Sequence, residues 1–133
     1  MNRKRMPIAL GAMVVLALAT LLLGCGFKRQ LVSIEVIPSG SNITGTGVIV
    51  DFKALGHYIH PPDTHDITDQ VTWESSAPQI ISIDANTGVA VSGDGCGTNI
   101  LITATGYSDP NSHSGGVVVG TGTVSVTQKG NCQ

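Results

Sequence analysis

The chain has 133 residues, seventeen of them glycine, and a formal charge of −2, which is enough for one core of the usual ~100–150-residue size and no more. Three of the seven basic residues lie within the first five positions, leaving Lys28, Arg29, Lys53 and Lys129 against all nine acids in the remainder; so acidic a surface lacks the cationic patch that neutralises phosphates, which argues against nucleic acid as a partner. After residue 31 the chain is rich in Gly, Thr, Ser, Val and Ile and poor in Leu, Lys, Glu and Arg, a composition that suits pleated strands and tight turns and leaves little room for helix.

The first element is a signal. Met1–Arg5 is basic, and Ile8–Leu23 is an uncharged apolar run of 16 residues, short of the ~20 that a spanning helix needs and suited to the apolar core of an export signal. It ends in Leu22-Leu23-Gly24-Cys25, which resembles the bacterial lipobox. That resemblance implies that residues 1–24 are removed and that Cys25 carries a diacylglyceryl group on sulfur, with further acylation of its new amino group. Two or three acyl chains hold a protein stably at a bilayer, since each buried methylene contributes about 0.8 kcal/mol. The mature chain would be 133 − 24 = 109 residues. Gly26 stands where an Asp would resemble an inner-membrane retention signal, so the outer membrane is expected if the source is Gram-negative. Residues 25–30 then form the lipidated cysteine and a short tether.

From residue 31 to 133 we read one domain of short alternating strands separated by turn residues about every ten positions, the pattern of a β-sandwich. Val32, Ile34 and Val36 alternate with Ser33 and Glu35, and Pro38-Ser39-Gly40 ends that strand. Val48, Val50, Phe52 and Ala54 mark a second strand ending before Gly56. His57–Asp69 is polar and interrupted by Pro61-Pro62, which predicts a brief edge strand near Tyr58 and then a loop. Val71 and Trp73 point inward while Thr72 and Glu74 point out, placing the single tryptophan at the centre of the core. Ile81 and Ile83 mark a strand, Asp84–Gly88 a turn, Val89 and Val91 the next strand, and Ile100, Ile102 and Ala104 another. A Ser/Gly/Asn-rich loop through Gly116 precedes the last strand, with Val118, Val124 and Val126 inward.

With Cys25 lipidated, Cys96 and Cys132 remain as an even pair in an oxidising compartment. An antiparallel hairpin of Thr98–Thr105 with Val117–Thr127 brings both to the same end of a sheet, so a disulfide between them is expected.

Three segments then carry a specific resemblance. Ile67-Thr68-Asp69-Gln70-Val71-Thr72-Trp73-Glu74-Ser75-Ser76, Ile83-Asp84-Ala85-Asn86-Thr87-Gly88-Val89-Ala90 and Gly97-Thr98-Asn99-Ile100-Leu101-Ile102-Thr103-Ala104-Thr105 resemble the bacterial Ig-like domain of group 2, and Leu31–Pro38 is similar to that family's first strand. The resemblance spans Leu31 to Thr127. It implies an immunoglobulin-like Greek-key sandwich of about seven strands, shared with invasin- and intimin-type adhesins, in which such domains act as spacers or binding modules on cell surfaces and phage particles. The His57–Asp66 and Gly106–Gly116 segments are longer than that family's pattern. The matched residues are core and turn residues, so the resemblance transfers a fold and no binding site.

His57, His60 and His65, interleaved with Asp63 and Asp66, are the densest cluster of metal-ligand types. A small metal-binding envelope protein using the His57–Asp66 loop is therefore the alternative function, weighed against a solvated loop. Asp109, Ser112 and His113 supply the letters of a hydrolytic triad, but residues so close on one loop rarely converge on nucleophile, base and orienter, and no catalytic residue is assigned. Gly93–Gly97 lacks the carboxylates of a calcium loop and the Lys and helix of a phosphate loop and reads as a turn. Asn42-Ile43-Thr44 matches a glycosylation sequon that a bacterial lipoprotein does not normally use. Tyr58 and Tyr107 are the aromatic candidates for a contact surface. The expectation is a non-enzymatic, cofactor-free module, held to a membrane by its lipid and meeting protein or glycan at the cell surface.

Overall fold

The computed structural model describes residues 27–130 and Cys132; the signal segment and Cys25 lie outside them. The described residues contain ten strands and no helix, and none of their elements is a helix able to cross a membrane. The strands are β1 (Gln30–Ile37), β2 (Ser41–Thr44), β3 (Ile49–Asp51), β4 (Lys53–Ile59), β5 (Asp63–Asp66), β6 (Thr72–Ser75), β7 (Ile81–Ile83), β8 (Val89–Ser92), β9 (Gly97–Asp109) and β10 (Ser114–Thr127).

They form the orders β1-β4-β5, β3-β8-β7 and β2-β10-β9-β6. Phe52 alone separates β3 from β4, and its N–H donates to Gly88 O at 2.9 Å, continuing the β3–β8 ladder. The first two groups therefore share one layer of a β-sandwich, and the four-stranded sheet is the other. All pairings are antiparallel except β2 with β10, which is parallel.

Period-two burial follows from one face of each strand meeting the opposite layer. Leu31, Ile34, Val36, Phe52 and Ala54 face Trp73, Ile100, Ile102, Val124 and Val126 across the core, all nearly solvent-free. Trp73 packs at 6.5 Å from the Phe52 ring, and its indole N–H donates to Thr68 O at 2.9 Å, so burial strands no polar atom. The buried Ser92 hydroxyl accepts from Val48 N–H at 2.9 Å and donates to Gly45 O at 2.7 Å.

Four segments differ from the sequence reading. A bulge between Leu31 and Ser33 shifts the β1–β4 register, so Leu31 is inward and Val32 is exposed. A bulge changes which face each residue takes, and strand periodicity alone does not reveal it. β2 was not anticipated; it is a short edge strand that lies beside β10 after the turn at Pro38. β4 runs through Gly56 to Ile59, because at Gly56 a Cβ would sit 2.7 Å from Ile67 Cδ1 and 2.9 Å from Leu31 Cδ1; the missing side chain is what the packing requires there. In β8 the inward residues are Ala90 and Ser92, leaving Val89 and Val91 partly in solvent.

The Asp84–Gly88 turn forms as expected. Asp84 Oδ1 accepts from the N–H groups of Asn86 and Thr87, both at 2.9 Å, and Gly88 takes φ +73°, a left-handed conformation that glycine adopts without penalty.

The sandwich has two distinct ends. Gln30 pairs with Ile59, so the chain enters beside the β4–β5 turn; the β9–β10 turn at Pro110–His113 lies at the same end, where Arg29 and Asn111 line one cleft. At the far end Val126 pairs with Gly97, and the neighbouring Cys96 and Cys132 form a disulfide pair with Cα atoms 6.1 Å apart. The bridge thus fastens the C-terminal tail at the end opposite Phe27.

Candidate functional site

The His57–Asp66 segment, where a brief edge strand near Tyr58 and then a loop are expected, is an antiparallel hairpin. Leu55 pairs with Asp66, Gly56 with His65, His57 with Thr64 and Tyr58 with Asp63. Backbone pairing forms here without alternation because β5 is exposed along its whole length, so no apolar rhythm marks it in the sequence. The ladder also decides the fate of the histidines. Residues directly opposite share a face and successive residues alternate, so His57 lies on the face of Thr64 while His65 lies on the face of Tyr58 and Asp63.

Each ring then finds its own local partner. His57 Nδ1 is 3.0 Å from Thr64 Oγ1 and its Nε2 is 3.5 Å from Glu35 Oε2. His65 Nε2 is 2.7 Å from Asp63 Oδ2, with its ring edge-on to Tyr58 at 6.0 Å. His60 stacks on Phe27 at 5.0 Å. The three histidines are not brought together, and among the described residues no group of three or more His, Cys, Asp or Glu is arranged to hold a metal ion.

Between the β4–β5 hairpin and the β9–β10 turn lies a polar cleft of about 260 Å³, lined by Arg29, Tyr58, His65, Gln70 and Asn111 among others. The Arg29 guanidinium stacks over the Tyr58 ring at 4.2 Å and approaches Asp63 at 3.4 Å. Asp63 is held below the usual carboxylate range, first by the Thr64 backbone N–H and then by His65 and Arg29. Asp66 is lowered by the Thr68 hydroxyl and backbone N–H, with Lys53 3.6 Å away. Burial pushes the Tyr58 phenol up, against the pull of Arg29. The cleft thus carries polar recognition groups, with its Arg29 held between the Tyr58 ring and the Asp63 carboxylate.

The Gly106–Gly116 segment is also more ordered than a loop. β9 and β10 extend past the sandwich, leaving only Pro110–His113 as the turn. Asp109 is lowered chiefly by the Ser112 hydroxyl, while Ser112 Oγ lies 2.6 Å from Ser114 Oγ and His113 packs edge-on to Tyr107 at 6.2 Å. The serine and aspartate therefore cap the turn, and the histidine is aimed elsewhere.

The four-stranded sheet turns an open face to solvent that the sequence reading did not single out. Leu101, Tyr107, Val117 and Val119 are 42–63% exposed. The pairings Val119–Thr105–Thr72 and Thr121–Thr103–Glu74, with Thr123 opposite Leu101, set a threonine lattice between them. The signal was present in the outward positions of Thr-x-Thr at 103–105 and 121–123, but only the register aligns the two runs. No family model matches the chain, and no curated protein matches it.

Proposed function

We propose that this chain is an exported, lipid-anchored envelope protein whose single domain is a bacterial Ig-like module of group 2, and that it works without catalysis, as a contact module for protein or glycan. The observation that carries the contact role is the outward face of β6, β9 and β10. It offers four half-exposed apolar side chains among hydroxyls, with Glu74 as the one charge in its central part. An outward face of apolar and hydroxyl groups suits association, because desolvating it sacrifices no ion pair. The connectivity supports the Ig-like reading: the second strand runs parallel to the last, and the last two form a long antiparallel pair beside β6. The anchor rests on the lipobox residues ending at Cys25.

Two measurements test the reading. Intact mass of the membrane-extracted protein should show residues 1–24 absent and Cys25 acylated; an unmodified Cys25 on an uncut chain removes the anchor. A photocrosslinking residue at Val119 should give a discrete adduct in intact cells, while the same group at Val91, on the outside of the other layer, should not. Equal labelling from both positions removes the contact role.

A further inference from the structure

We infer that the end of the sandwich carrying Phe27, the β4–β5 turn and the β9–β10 turn rests within the headgroup layer of a phospholipid bilayer, so that the domain stands on the membrane in a fixed orientation. This rests on lipidation of Cys25 as proposed above. Only two residue steps separate Cys25 from Phe27, a reach of at most about 7 Å at ~3.3–3.6 Å per residue. The polar layer of one leaflet is itself roughly 5–7 Å deep, half the difference between total and hydrocarbon thickness. A tether this short keeps that end of the domain at the outer boundary of the headgroups or within them.

The surface brought to that layer fits it. Phe27 is 76% exposed and stacked on His60, which offers a paired aromatic and imidazole platform. An exposed apolar ring gains by leaving water for the boundary between headgroups and acyl chains. The turn residues Pro62, Asn111 and Ser112 beside it are exposed. Of the carboxylates at this end, Asp63 is balanced by Arg29 at 3.4 Å, and Asp109 is held first by the Ser112 hydroxyl. At Asp63 lipid phosphates therefore meet little bare negative charge. The disulfide and the far ends of β9 and β10 point away, as does Lys129.

The test uses the full, lipidated chain in vesicles of phosphatidylethanolamine and phosphatidylglycerol doped with a headgroup spin-labelled phosphatidylcholine, carrying either Asn111→Trp or Lys129→Trp. The buried Trp73 gives the same background in both. The Asn111→Trp protein should be quenched several-fold more than the Lys129→Trp protein. Hydrogen exchange of the unsubstituted chain gives the same reading without a new side chain: amides of 59–64 and 107–114 should be slower in vesicles than in detergent micelles, and those of 93–97 unchanged. If mass shows Cys25 acylated but the two tryptophan variants quench alike and exchange does not change, the docking is overturned while the anchor stands. Quenching of Asn111→Trp that grows with protein density would mean that a second copy covers this end, which also overturns it. An unacylated Cys25 overturns both.

Discussion

Gly120 is a point of close approach between the two layers, and replacing it by alanine tests the packing directly. A Cβ at this position would lie 2.8 Å from Ile34 Cβ and Cγ2 and closer still to the Ile34 carbonyl oxygen. The obstructing atoms belong to the backbone and the branched stem of a buried residue on β1, which is held by its ladder to β4. Overpacking costs about 1–3 kcal/mol where side chains can yield; a backbone obstacle puts this case near the upper end. Alanine also restricts the unfolded chain, which returns about 0.5 kcal/mol, so the net loss is about 2.5 kcal/mol. At roughly 4–8 °C per kcal/mol for a domain of this size, the midpoint should fall by about 10–20 °C. Gly116, on the same strand, is the control: a Cβ there meets nothing nearer than Ser108 Oγ at 4.0 Å, so Gly116→Ala should be neutral or slightly stabilising. Urea and thermal unfolding of the chain from Phe27 onward, followed by Trp73 fluorescence, measure both. Equal midpoints for the two variants would refute the close approach of β10 to β1.

The remaining predictions are these. Reducing the Cys96–Cys132 pair, which are 36 residues apart, should cost about 4 kcal/mol in the chain-entropy model, read as a lower unfolding midpoint in dithiothreitol with the same β-type circular dichroism below it. Asp84 is held below its ordinary value of 3.8 by the backbone N–H of Asn86 and by Thr87. Its stabilisation is therefore fully present above that value and is lost as pH falls through the lower folded one. Asp84→Asn should accordingly flatten the acid limb of stability against pH while removing little of its own at pH 2. Zn²⁺ or EDTA should leave the melting midpoint unchanged, because a metal that binds only the folded state must raise it and His57 and His65 lie on opposite faces of their hairpin.

The all-β sandwich was legible because burying one face per strand writes itself as alternation. Val71 and Trp73, then Ile100, Ile102 and Ala104, then Val124 and Val126 are inward as the sequence indicates, Val71 included at 6% exposure. The turn at Asp84–Gly88 was legible for a different reason, since its aspartate and glycine are demanded by local hydrogen bonding and a left-handed φ. What stayed hidden is whatever depends on a partner strand. Nothing in Leu31-Val32-Ser33 marks the bulge that turns Val32 outward, because register is a relation between β1 and β4. β5 was invisible because a strand exposed on both faces has no apolar period. The candidate surface was missed on the same ground: Thr103 and Thr121 are 18 residues apart in sequence and become neighbours only through the β9–β10 ladder.

These hidden elements share a physical character that bears on function. β5 and the tips of β9 and β10 are held by backbone pairing and side-chain caps, with little core beneath them, whereas the strands around Trp73 and the disulfide end are fastened by burial. Local opening follows buried contact density, so the hairpin end is the part of the domain that opens most easily. In the proposed docking the short tether brings that end to the bilayer, where contact would supply the support that the core does not reach. In the proposed orientation the domain rests its least buried end on the lipid and keeps the disulfide end away from it. Phe27→Ser, which weakens the platform without touching the core, should therefore speed amide exchange at 59–64 and 107–114 in vesicles and leave the Trp73 unfolding midpoint unchanged in detergent. Faster exchange across the whole domain in both media would instead mean that the two halves open as one unit.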